Sequence, residues 1–213
     1  MEIYIGNLRK GDVIIMSKGK SASSGLFNHA AIISQIHKGL RPYILELTGF
    51  GFERSLYMPN TGCDYVYRLK CADGEVTAGK AATAGNIWVT SYPNTKYRGN
   101  THTLNSGVYN TSSVFTSYFG NSSYGIKAMR YAEYLYENCQ CNPPRELNRS
   151  ASFFSGAICT YLPIALYQTV MGGLGCIGKM EIDARKSLPR DLARYLDNNE
   201  LWACCGTVTE RST

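Results

Sequence analysis

The chain has 213 residues, 44% of them hydrophobic and 18% charged, with 8 cysteines and a formal charge of +6. That size and balance predict one soluble globular domain over 1–213 and exclude a disordered or low-complexity chain. The 22 lysines and arginines are scattered, with no basic and aromatic pattern of a nucleic-acid module, so the basic surface is expected to meet other anionic partners.

The opening "MEIYIGNLRKGDVIIM" passes directly into strand-like alternation, without the basic end, apolar stretch and cleavage site of a signal peptide. The expectation is a chain made in the cytoplasm that does not use that export route. Residues 12–16 ("DVIIM"), 30–36 ("AAIISQI") and 43–49 ("YILELTG") read as short strands, with 37–42 as a hairpin connection. Residues 63–70 ("CDYVYRLK") alternate as a further strand, and an alanine-rich helix is expected from near Val76. The composition of 90–124 then shifts to Ser, Thr, Asn, Gly and Tyr, as in an inserted polar segment that covers a site and tunes substrate choice. Residues 125–138 carry an amphipathic helical pattern, which the prolines of "CQCNPPREL" end.

Residues 150–178 contain no charged side chain. Their length would permit a membrane span, but Ser150, Ser152, Ser155, Thr160, Gln168 and Thr169 interrupt the run, Pro163 lies within it, and glycines punctuate its end. The pattern predicts a buried core helix over about 155–171, with Cys159 in its first turns. A thiol at a helix start feels unpaired amide donors and the positive end of the helix dipole, which favour the thiolate. Such a nucleophile needs a base, and the chain offers His29, His37 and His102. His37 falls in the hairpin turn and His102 in the polar insertion, whereas His29 opens a strand and is the candidate base. Glu46, an acidic residue between apolar neighbours on the next strand, is the candidate to orient it. A hairpin centred near 38–40 puts positions 29 and 46–49 almost opposite each other. The eight cysteines show no zinc-type spacing with histidine and are expected to be reduced thiols, with no metal and no cofactor.

"LRKGDVIIM", "FNHAAIIS", "ILELTGFGFERSL" and "YVYRL", followed by an alanine-rich helix and a late cysteine-bearing apolar helix, together resemble the circularly permuted NlpC-like thiol hydrolases of the YiiX and YaeF type, relatives of the lecithin-retinol acyltransferase-like proteins. The resemblance covers residues 8–85 and 150–171. It implies an α+β, permuted papain-like fold, a small antiparallel sheet packed against a central cysteine-bearing helix. It also implies that Cys159 is the nucleophile, His29 the base and Glu46 the polar third member. Where the family commonly has an aromatic before the cysteine and Ser with an acidic residue after it, this chain has Ile158, Thr160 and Tyr161. The implied function is cleavage of an amide in peptidoglycan stem peptides. With the absent signal peptide, that leads to the expectation of an antibacterial effector delivered by a machine such as type VI secretion and neutralised by an immunity protein. Two alternatives stand beside it: a lipid acyl hydrolase or acyltransferase using the same residues, and a non-enzymatic protein that binds or inserts into membranes through 150–178.

Overall fold

The structure, a computed structural model, describes residues 1–17, 29–37, 39–48, 51–60, 63–91, 125–144, 159–172 and 180–210. Strands β1 (Glu2–Tyr4), β2 (Val13–Met16), β3 (His29–Gln35), β4 (Tyr43–Thr48), β5 (Gly51–Leu56), β6 (Asp64–Leu69) and β7 (Trp202–Thr209) form one sheet in the order β1-β7-β6-β2-β3-β4-β5. Helices α1 (Gly74–Ser91), α2 (Ile126–Asn138), α3 (Tyr161–Gln168) and α4 (Pro189–Asn198) accompany it. The fold class is α+β. The expected small antiparallel sheet is larger and mixed, because β1 pairs in parallel with β7 while the other neighbours run antiparallel.

The apolar runs of β2 and β3 lack alternation because both of their faces are covered. Val13, Ile15, Ala30, Ile32, Leu45, Leu47 and Phe52 share a cluster with α1 and α3, while Ile14, Ala31, Ile33, Ile44, Tyr57 and Val66 form a second cluster. Small residues let α1 come close to its neighbours. A Cβ on Gly85 would lie 2.5 Å from Leu45 Cδ1 and 2.6 Å from Leu166 Cδ1, so the glycine lets α1 pack between β4 and α3 without displacing either leucine.

The uncharged run contributes α3, every residue of which is buried. Pro163 costs this helix no hydrogen bond, since it sits in the first turn where backbone N–H groups have no intrahelical acceptor. The polar groups of α3 are tied to the surrounding chain: Tyr167 Oη donates to the Gly11 carbonyl at 2.5 Å, and Gln168 Nε2 donates to the carbonyls of Met180 and Ile182 at 2.8 and 2.6 Å. The helix is shorter than the expected 155–171, with Cys159 in the turn before it. Among the described residues no helix is long and apolar enough to cross a membrane.

Three elements escaped the sequence reading. β5 follows β4 directly; α4 and β7 come from the C-terminal segment. Pro189 opens α4, where the Asp191 carboxylate accepts the Leu188 backbone N–H at 2.9 Å, an N-terminal cap supplied from inside the helix. Of the polar insertion expected over 90–124, residues 90 and 91 finish α1, and the remainder, with His102, lies outside the described residues.

Candidate active site

His29 is the first residue of β3 and pairs with Met16 of β2. Glu46 on β4 is directly opposite Ala31, not His29. Because side chains two apart on a strand share a face, His29 and Glu46 are diagonal neighbours on that face, a spacing that long side chains bridge. The bridge is made: His29 Nε2 lies 2.8 Å from Glu46 Oε2, while the Ser55 hydroxyl on β5 donates to Glu46 Oε1. Ser55 was not foreseen. Its signal is a hydroxyl on the strand that flanks the acidic residue, visible only once β5 is recognised. β5 also shows that Glu46 lies one strand in from the sheet edge, with 15% of its side chain exposed.

Cys159 is 6% exposed and hydrogen-bonds the His29 side chain. His29 and Glu46 alternate with Ala30, Ile32, Leu45 and Leu47, which pack in the cluster that includes the helices, so the thiol is met at the end of β3, where His29 is the terminal residue. Three residues separated by long stretches of sequence thus form a chain of contacts, Cys159 to His29 to Glu46, with Ser55 behind.

The charges reinforce one another. Burial opposes a proton on the His29 ring, but hydrogen bonds to Cys159 and Glu46 and their negative charges outweigh it and push its pKa up to about 10. Burial alone would raise the Glu46 carboxyl, yet the hydrogen bonds from His29 and Ser55 and the charge on His29 hold it below the usual carboxylate range. Both shifts favour an imidazolium held by a carboxylate.

The other expected residues are apart from this cluster. His37 lies beyond the other end of β3, its ring edge-on to Tyr43 at 6.2 Å. Among the described residues, Cys63, Cys71, Cys139, Cys141, Cys204 and Cys205 form no disulfide. No group of histidine, cysteine and carboxylate side chains among the described residues could hold a metal ion.

Comparison with protein-family models, with curated proteins and with solved structures gives no match to this chain.

Proposed function

We propose that the protein is a cysteine hydrolase of permuted papain-like fold that cleaves an amide bond, with Cys159 as nucleophile, His29 as general base and acid, and Glu46 as the orienting carboxylate. The observation that carries this reading is the 2.8 Å contact between His29 and Glu46, on a ring that also hydrogen-bonds Cys159. A nucleophile, its base and an orienting acceptor in that order are what thiol acyl transfer requires. His29 takes the proton of Cys159, and Glu46 stabilises the resulting imidazolium. The thiolate attacks the carbonyl carbon, and the imidazolium then gives its proton to the leaving amine. Water, deprotonated by His29, releases the acyl group and restores the thiol.

Peptidoglycan stem peptides are the proposed substrate and an antibacterial effector the proposed role, both resting on the family resemblance of the sequence. The two alternatives need the apolar run to be available to lipid. Burial of all of α3 leaves that helix no surface for a groove or an insertion, so either alternative would have to use 150–158 or 173–178, which lie outside the described residues.

The test is incubation of purified sacculi with wild-type and Cys159→Ala protein, followed by mass analysis of the soluble fragments. New peptide ends that appear only with the wild-type protein support the reading. Sacculi left intact by a wild-type protein whose Cys159 is fully reduced overturn the substrate assignment. Iodoacetamide mapping addresses the nucleophile itself: full labelling of Cys159 with turnover retained overturns the mechanism.

A further inference from the structure

The turn that carries Cys159 is clamped from its C-terminal side by the segment leading into α4. Thr160 Oγ1 donates to the Ser187 carbonyl, and Ser187 Oγ donates to the Asp183 carbonyl at 2.7 Å. Tyr161, two residues after the thiol, shares a hydrogen bond of 2.7 Å with the hydroxyl of Tyr131 on α2. The face of that Tyr131 ring carries the Arg185 guanidinium, its central carbon 4.0 Å from the ring centroid. Arg185 is therefore fixed beside the Cys159 turn from two directions, by backbone through Ser187 and by side chain through the tyrosine pair.

The guanidinium is only partly used. Nε and Nη2 each donate to an oxygen of Asp183 at 3.0 Å, and that carboxylate is 95% buried, with 5% exposed. A guanidinium has five N–H donors in a planar fork, so this side-on pair leaves both hydrogens of Nη1 and the second hydrogen of Nη2. Nη1 has no hydrogen-bond partner among the described residues, and 42% of the Arg185 side chain is open to solvent. A cation whose position is already set by a buried carboxylate and an aromatic face gives up little side-chain entropy on meeting a second anion.

We propose that Arg185 is a carboxylate-recognising residue beside the candidate active site, which binds a substrate carboxylate end-on through Nη1 and Nη2 and so selects acyl substrates that carry an acidic group near the reacting amide. The proposal rests on the thiol-hydrolase reading for the word substrate, and on geometry alone for the anion site. Asp183 neutralises much of the long-range field of Arg185, so recognition comes from the two short hydrogen bonds. A substrate amide or ester in place of the carboxylate loses them.

Two measurements test it. In Cys159→Ala protein, titration with N-acetylglycine, a carboxylate next to an amide, is followed through the Arg185 Nε–H resonance and through tyrosine fluorescence. The fluorescence titration is repeated in the Arg185→Gln background. Saturable binding that weakens at least about fivefold in Arg185→Gln is expected for a bidentate charged contact. Binding within twofold of the parent in a folded Arg185→Gln variant overturns the site. In protein with Cys159 intact, the ratio of alkylation rates by iodoacetate and iodoacetamide reports an anion site near the thiol. It should fall about threefold in Arg185→Gln. Arg185→Lys, which keeps the charge without the fork, replaces Arg185→Gln if the latter fails to fold, and it should lose N-acetylglycine affinity while holding more of the alkylation ratio. An unchanged ratio in Arg185→Gln, with N-acetylglycine binding lost, overturns its placement at the reacting centre. A Cys159 inert to both reagents while N-acetylglycine still binds overturns the hydrolase reading and leaves the anion site standing.

Discussion

Replacing Glu46 by Gln separates charge from shape at the candidate site. Both carboxylate oxygens accept hydrogen bonds, Oε2 from His29 Nε2 at 2.8 Å and Oε1 from Ser55. The amide of Gln keeps one acceptor. The Ser55 hydroxyl can rotate to accept from the amide nitrogen, so the carbonyl stays on His29 and the fold persists. What is lost is a charged hydrogen bond in a setting where only 15% of the Glu46 side chain is exposed. Such a bond is worth about 1.5–3 kcal/mol, and at about 1.4 kcal/mol per decade turnover should fall roughly 10- to 150-fold. The pH profile should move as well. The carboxylate helps to hold the His29 proton up to about 10, so without it the imidazolium that protonates the leaving amine is lost earlier and the alkaline limb shifts to lower pH. The assay is muropeptide turnover between pH 5 and 10, beside thermal melts and beside His29→Ala. Turnover within twofold of wild type in Glu46→Gln, with His29→Ala inactive, would refute the reasoning and move the orienting role to Thr48 or a backbone carbonyl.

The same contact should appear in stability. The folded-state pKa of Glu46 is depressed, so its contribution is present above the unfolded value and lost as pH falls through the folded one; the Tm gap between wild type and Glu46→Gln should close below about pH 4. Gly85→Ala should lower stability by about 1–3 kcal/mol in denaturant unfolding, because the new Cβ meets Leu45 and Leu166. Arg68 donates Nε to Asp12 Oδ1 at 2.8 Å and Nη2 to Oδ2 at 2.7 Å, and Asp12 is 2% exposed. Arg68→Met should therefore cost about 3 kcal/mol, the low end for a broken buried pair, because the Arg9 backbone N–H still satisfies Asp12. A loss below about 0.5 kcal/mol would mark that pair as a surface contact.

What could be read from sequence followed from how local each signal is. β2, β3, β4 and β6 announce themselves through Val, Ile, Leu and Tyr runs, α1 through alanines and α2 through its apolar stripe. β5 hides because Gly51–Leu56 alternates buried Phe52 with exposed Arg54 and Leu56 on one face and puts Glu53 and Ser55 on the other, so no apolar periodicity survives. With β5 unseen, Glu46 looks like a residue of an edge strand and Ser55 has no address. β7 carries Cys204, Cys205 and Gly206 in its middle, a composition that no strand rule favours, and its place between β6 and β1 comes from pairing with distant residues. Arg185 was invisible for a related reason: its setting needs Tyr131, Tyr161 and Asp183 from three separate segments, and no spacing along the chain encodes that.

The parallel pairing of β1 with β7 also has a mechanical meaning. Glu2, Ile3 and Tyr4 lie beside Thr207, Val208 and Thr209, running in the same direction. A force that draws the chain out by its first residues slides β1 along β7, so the ladder bonds across this clamp are loaded together in shear and do not open one at a time from an end. Pulled from the last residues, β7 is instead dragged along both β1 and the antiparallel β6. In single-molecule extension the clamp should give one sharp rupture, and Ile3→Pro, which removes a backbone N–H within the three-residue strand, should lower its force.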